Sequence, residues 1–304
     1  MSSGSQQIVH YAPETTVGVL PAPFNRQVAR FTGFTLDGAV SGTDSNEVTP
    51  NVMSAGQYKT SVEYTGELTG ELSWATYDDL IAAAFRNDWV ANVISLNTLR
   101  KTFSFLRGYV DAGGYHHFMG VHVTGFTITV PEEGLIEVTF TLGGQERLPV
   151  TFVLPAGTIT AANTNKIFSN VSVGDVTIDG QSMTDIACVT AFSLSIEWTV
   201  QSQKCFGKKL SAGKLMMTDV AVTGSVTLAW GDEAAGQNEL KYTDTSISVS
   251  IPLEDEEGNK YTIAVPEATI TGELPQGARG DLLQYNLEFT ARNQSPTITR
   301  APAP

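Results

Sequence analysis

Between Val62 and Trp74 the chain alternates with a period of two. Val62, Tyr64, Gly66, Leu68, Gly70, Leu72 and Trp74 share one parity, and Glu63, Thr65, Glu67, Thr69 and Glu71 share the other. Successive side chains of a strand point to opposite faces, so this run is a β-strand with one dry and one wet side. Shorter runs of the same kind cover 99–110, 120–130, 135–142, 191–200, 219–230, 245–251, 261–270 and 282–291, with turn residues at 111–114, 131–134, 257–259 and 275–277 between them. Many short strands joined by turns fold as a sandwich or barrel. One segment departs from the pattern. Thr76 is placed as an N-cap with Asp79 three residues on, and Leu80, Ile81, Ala84 and Phe85 form an apolar stripe at helical spacing. The expectation is a single amphipathic helix over 77–87, packed on the sheet.

The alternation also repeats at long range. Ser54-Ala55-Gly56 recurs as Ser211-Ala212-Gly213, and each is followed by an alternating strand that ends in tryptophan, Trp74 or Trp230. A hairpin glycine follows in each half, Gly113 or Gly258, then a second turn at Gly134 or Gly280, then a closing strand at 135–140 or 282–289. Shared order at a near-constant offset predicts two copies of one β-unit, residues 1–148 and 149–304, with a linker-like stretch at 158–170. Between the tryptophan and the hairpin glycine the halves differ, 39 residues against 28, about what the helix occupies.

Charge narrows the function. The chain has 304 residues, 16% of them charged, with 32 acidic against 18 basic and a net charge of -14. A typical chain is ~25% charged, so part of this surface is expected to be covered by partner subunits. A net-acidic chain repels phosphate, which excludes a protein that grips DNA by counterion release but not one that handles DNA without gripping it. The polar start, Met1 to Gln7, lacks the basic and apolar regions of a secretion signal, and no apolar run approaches the ~20 residues that span a bilayer. The expectation is a protein made and kept in a cytoplasm, with Cys188 and Cys205 as free thiols rather than a disulfide.

Sites for chemistry are absent from the pattern. On a strand His116 and His122 share a face while His117 points away, so they make no tetrahedral metal site and are expected on a wet strand or at a subunit contact. The run Glu254-Asp255-Glu256-Glu257 lacks the alternate ligands of a calcium loop and is a solvated hairpin tip. There is no nucleophile elbow, Walker loop or zincin motif, so no enzyme, cofactor or metal is expected. Trp74, Trp89, Trp198 and Trp230 could form a sugar-stacking platform, which leaves a β-sandwich adhesion or carbohydrate-binding module as the alternative, although three of them sit in apolar alternations that favour a core role. Two long polar segments, 38–54 and 201–211, interrupt strands just before the repeated Ser-Ala-Gly. Loops of this length in a compact β-unit tend to be functional. Their candidate contact residues are Asp44, Asn46 and Glu47 in the first, and Lys204, Lys208, Lys209 and Lys214 in and just after the second.

The order of Glu71-Leu72-Ser73-Trp74, Tyr77-Asp78-Asp79-Leu80-Ile81-Ala82-Ala83-Ala84-Phe85, Lys101-Thr102-Phe103-Ser104-Phe105, Phe118-Met119-Gly120-Val121, Val123-Thr124-Gly125-Phe126 and 134–140 before Gly143-Gly144 resembles the major tail tube proteins of bacteriophages with long, non-contractile tails. The second half is similar to them at 258–263 with Pro266, and at Phe289-Thr290-Ala291. The resemblance implies a mainly β chain of two tandem tail-tube sandwich or barrel units that assembles in the host cytoplasm and resides in the virion tail. It implies rings that stack, with strands lining a channel through which DNA passes, and with loops and arms gripping the next ring. Other tail proteins would cap the tube ends. Two units per chain favour three chains per ring, with pseudo-six-fold symmetry, over six. An acidic wall would keep the duplex hydrated and mobile. The strand faces bearing Glu63, Glu67 and Glu71, or Asp281 and Glu288, are candidates for that wall or for subunit contacts.

Overall fold

The computed structural model describes residues 3–48, 50, 53, 56–183, 186–204, 206, 211 and 213–303. Its fold is mainly β, as expected, built on one long antiparallel sheet that runs through both halves of the chain. From one edge the order is Asp37–Asp44, Gln57–Glu71, Glu137–Gly144 and the second part of Tyr115–Val130. It continues through Val189–Gln203, Lys214–Ala229, Gln284–Ala291 and Lys260–Thr271. The parity read from the sequence decides which side is dry: Val62, Leu68 and Leu72 are buried, while Glu63 and Glu67 are exposed.

In the first half a smaller sheet covers the dry side. It orders Ile159–Thr160, Arg26–Val28, Gln7–Pro13, Phe103–Tyr109 and the first part of Tyr115–Val130. Tyr115–Val130 serves both sheets because it turns at Gly120, whose φ of 60° suits a residue without Cβ. The layers meet through aromatic rings, Phe34 stacking on Phe105 at 5.7 Å. In the second half Ile247–Glu254 pairs with Lys260–Thr271, which also carries Thr297–Ala301. One apolar core runs through both halves, from Val9 and Phe105 to Val249 and Phe289.

The segment after the 148 boundary stays on the first half. Thr151 bridges Tyr115, Ile159 and Thr160 pair with Arg26 and Gln27, and Phe168 is buried beside Leu72 and Ile136 through backbone bonds of 2.8 and 3.0 Å.

The expected helix is present as Asp78–Ala84, with Tyr77 at its N-cap. Thr76 does not cap it, because its hydroxyl is engaged by Ser73 Oγ at 2.5 Å and Asn163 Oδ1 at 2.8 Å. A second helix, Asp232–Glu239, follows Trp230 at the matching place. The length difference between the halves therefore does not come from the helix. It comes from the stretch beyond each helix: residues 85–102, which hold the strand Val93–Ser95, against 240–246.

The two polar segments are not simple loops. Asp37–Asp44 pairs with Gln57–Thr65, and Val189–Gln203 with Lys214–Leu228, so each segment begins within a long hairpin arm, whose last paired residues are Asp44 with Gln57 in the first and Gln203 with Lys214 in the second. Both faces of the arms become exposed toward the tips, which erases the parity signal.

Candidate channel face and subunit edges

Directly paired residues on neighbouring strands point to the same side, so the pairing register lays out the wet face row by row. One row reads Thr69, Thr139, Thr127, Ser195, Thr223, Thr290, Thr269. The next reads Glu71, Glu137, Thr129, Ser193, Ser225, Glu288, Thr271. On the other side of the hydroxyl row lie Glu67, Thr141, Gly125, Glu197 and Ala221. The segments that build this face, 62–71, 125–130, 137–143, 192–197, 220–229, 268–271 and 284–291, contain no lysine, arginine or histidine. The surface is a continuous field of hydroxyls and carboxylates crossing from one half of the chain to the other.

Glu63, Glu67, Glu71 and Glu288 all lie on this face, and Glu137 and Glu197 join them. Single-strand parity could not supply the last two, because only the cross-strand register brings them alongside. Asp281 sits off the strands in the loop before Gln284–Ala291, where its Oδ2 accepts the Ala278 N–H at 2.7 Å. Asp44, Asn46 and Glu47 are exposed at the end of the first arm, and Lys204 and Lys214 at the end of the second, with Lys204 Nζ 3.7 Å from Glu63. Lys208, Lys209 and Cys205 lie outside the described residues, and Cys188 is an exposed thiol.

The halves meet edge to edge. Phe192 to Glu197 pair residue by residue with Val130 to Gly125, and Thr127 and Ser195 share a hydroxyl bond of 3.0 Å across the joint. The joint is clamped toward the arm. Trp198 donates its indole N–H to the Ala84 carbonyl at 2.8 Å, and the Arg86 guanidinium lies 4.9 Å above the indole. Arg86 and Arg100 donate to the Met217 and Leu215 carbonyls, and Arg100 also donates to His122 Nε2 at 3.2 Å. Burial, and then the charges of Arg100 and Arg86, pull His122 down to about 4, so it is neutral at pH 7.

On the opposite side of the core, Asp78 accepts from Tyr261 Oη at 2.6 Å and pairs with Arg300, whose guanidinium lies 4.6 Å above Trp89. The expectation that the histidines lie on a wet strand fails for His117 and His122, which are buried because Tyr115–Val130 is flanked on both edges and covered by neighbouring layers. Among the described residues no group of three or more metal-capable side chains forms. Asp255 turns the acidic tip by accepting the backbone N–H groups of Glu257 and Asn259.

All four tryptophans are half-buried and engaged. Trp74 lies 4.9 Å from Tyr261 and Trp230 lies 5.9 Å from Tyr285, while Trp89 and Trp198 donate to backbone carbonyls.

At each of the two ends of the long sheet one edge has no strand partner among the described residues. One is the outer side of 33–44, whose only partner is Gln57–Glu71. The other is 269–274, since Ile247–Glu254 ends its pairing at Ala268. Val130, in the joint, is 4% exposed; Leu274 is 54% and Leu282 92% exposed.

A family model described as phage tail tube protein matches residues 4–291. The chain belongs to the phage tail tube protein family. No curated protein matches it. Membership makes this chain a structural component of the virion tail, with a mainly β fold. Among the described residues of this tail tube protein no helix is long and apolar enough to cross a membrane.

Proposed function

We propose that the chain is a double tube subunit: residues 1–148 and 149–304 are two units of one plan, and three chains close a ring of six units around a channel. The observation that carries this reading is the joint of Phe192–Glu197 on Gly125–Val130, together with the two unpaired edges at opposite ends of the long sheet. Those edges are the counterparts of the joined ones. In the joint, Ile196 faces Val222 on one side and Phe126 on the other; Phe126 in turn faces Phe140. Counting back from Trp74 as from Trp230 places Leu36 where Ile196 stands, and Ile270 faces Phe289 as Phe126 faces Phe140. Strand 32–37 of one chain laid on 269–274 of the next repeats the internal joint, and repetition by a closed rotation gives a ring.

The acidic face then lines the channel. Glu63, Glu67, Glu71, Glu137, Glu197 and Glu288 face the duplex, and the strand segments that carry them contain no base, the Lys204 ammonium reaching only Glu63 from the arm. A wall dominated by carboxylates and hydroxyls makes few counterion-releasing contacts, so DNA moves through without being held at each ring. The arms, carrying Asp44, Asn46 and Glu47 or Lys204, Lys208, Lys209 and Lys214, reach the neighbouring ring, acid against base. Rings stack into a tube in the host cytoplasm, and other tail proteins close its ends. Negative-stain microscopy of the concentrated protein tests the reading: hollow tubes or stacked rings are expected, and a strictly monomeric sample in light scattering at high concentration contradicts it.

A further inference from the structure

The two edges match in backbone but not in side chains, and one mismatch leaves a space with a defined shape. Within the chain, the clamp beside the joint is a large residue on the arm, Trp198, against the end of the first helix, Ala84 to Arg86. Trp198 faces Val220 across the second arm, ten residues before Trp230. Across the first arm the residue facing Tyr64, ten before Trp74, is Gly38. Glycine therefore stands where the other arm carries tryptophan. The result is a groove of about 660 Å³ along the arm, lined by Gly38, Val40, Val62, Tyr64 and the 146–149 segment. Val40 is 54% exposed there although it sits mid-hairpin opposite Val62. The Tyr64 ring leans over Gly38, 2.8 Å from where a Cβ would stand.

The helix end reverses the same way. Arg86 lies twelve residues after Trp74, and twelve residues after Trp230 stands Tyr242, at the end of the turn that follows the second helix. Tyr242 is 71% exposed, and the Lys241 ammonium lies 5.0 Å from its ring while donating to the Gly272 carbonyl of the open edge. Inside the chain the arm supplies the indole and the helix end the cation; at the open edge the arm supplies a cavity and the helix end an aromatic ring.

We infer that Tyr242 of one copy fills the groove over Gly38 of the next copy, packing on Val40 and Tyr64. The inference rests on the three-chain ring and adds the residue contact that closes it. An offset or edge-to-face pair with Tyr64 is the geometry such rings prefer. Lys59, Glu146 and Arg147 border the groove, and Asp244, two residues beyond Tyr242, is paired with Arg292 at 2.8 Å, so shape and not charge makes the match. The occupant is thus a second copy of this chain, presenting 240–244.

Cross-linking tests the contact. With Cys188→Ser and Cys205→Ser removing the native thiols, Val40→Cys and Tyr242→Cys are combined in the full chain, assembled, and treated with a short bis-maleimide. A denaturing gel is expected to show covalent species of two and three chains, with either single cysteine giving none. A ladder running to six chains also supports the contact, in a ring of six. Tubes visible by microscopy without any cross-link overturn the inference while leaving the ring reading intact. Absence of tubes from both this protein and the unmodified chain overturns both. As a second measure, Tyr242→Ala is expected to raise the concentration needed for tube formation at least tenfold and Tyr242→Phe to leave it unchanged. Equal behaviour of the two variants overturns the inference.

Discussion

In the proposed ring, two joints of one plan meet different demands. The joint inside the chain buries Val130, bonds Thr127 to Ser195 and is clamped by Trp198 under Arg86. The open edges keep Leu274 in water and place Gly38 and Tyr242 where the inner joint has Trp198 and Arg86. Tethering makes the inner pairing intramolecular, at high effective concentration, so it forms with the fold. The proposed outer pairing must wait for a second chain, and unpaired strand edges are templates for aggregation. Asp37 and Asp44 on one edge, and Glu273 and Pro275 beside the other, are the charged and proline devices that blunt such edges.

The sharpest way to break the comparison is to place one carboxylate at each of the two matched positions. Val130→Asp strands a charge in the inner joint and is expected to cost about 3–5 kcal/mol, enough to prevent accumulation of folded chain. Leu274→Asp is expected to change the chain's own stability by no more than about 0.5 kcal/mol, yet to abolish tubes. Urea unfolding and microscopy on the same samples separate the two, and equal loss of stability would sink the equivalence of the edges.

Asp78→Ala comes next. It removes the acceptor of Tyr261 and the partner of Arg300 on the far side of the core, where the first helix meets the last strands. Breaking a largely buried pair at one partner is expected to cost about 3 kcal/mol, read as a lower urea midpoint. Trp198→Gly copies the outer chemistry into the inner joint. It loses half-buried aromatic packing and the bond to Ala84, at about 2 kcal/mol.

Acid should weaken the inner joint more gradually. His122 faces Arg100 and Arg86 and is held near 4, and His10, beside Arg26, is held down to about 4 by burial and then by that charge. The unfolded chain takes up these protons first. Stability is therefore full above about 6.5 and declines as the pH falls from there toward about 4. His122→Gln should flatten part of that slope; an unchanged slope would remove His122 from the account.

Strand content was legible wherever one face is dry and the other wet: 62–71 kept its parity throughout, and 261–270 kept it on either side of a register slip between Val265 and Ala268, whereas 117–126 is buried on both faces. The arm strand Asp37–Asp44 was hidden because both its faces are largely wet. Gln7–Pro13 was hidden for the opposite reason, with Val9, His10, Tyr11 and Ala12 buried in succession. The helix Asp232–Glu239 has no apolar stripe, since what it buries is Ala234, Gln237 and Asn238. Four carboxylates of the candidate face could be read from single strands. Glu137 and Glu197 needed pairings such as that of Thr129 with Ser193, which lie far apart in sequence. The edges were not legible at all, because an unpaired edge is a property of the assembled sheet.

The central claim is that one chain supplies two of the six units around the channel. Image reconstruction of assembled tubes, with the number of chains per ring fixed by the mass per unit length, tests it most directly. The account predicts three chains per ring, a continuous wall of strands with pseudo-six-fold symmetry, and carboxylates facing the bore. Six chains per ring, or a wall whose strand joints between chains do not repeat the Val130–Phe192 pairing within them, would contradict it.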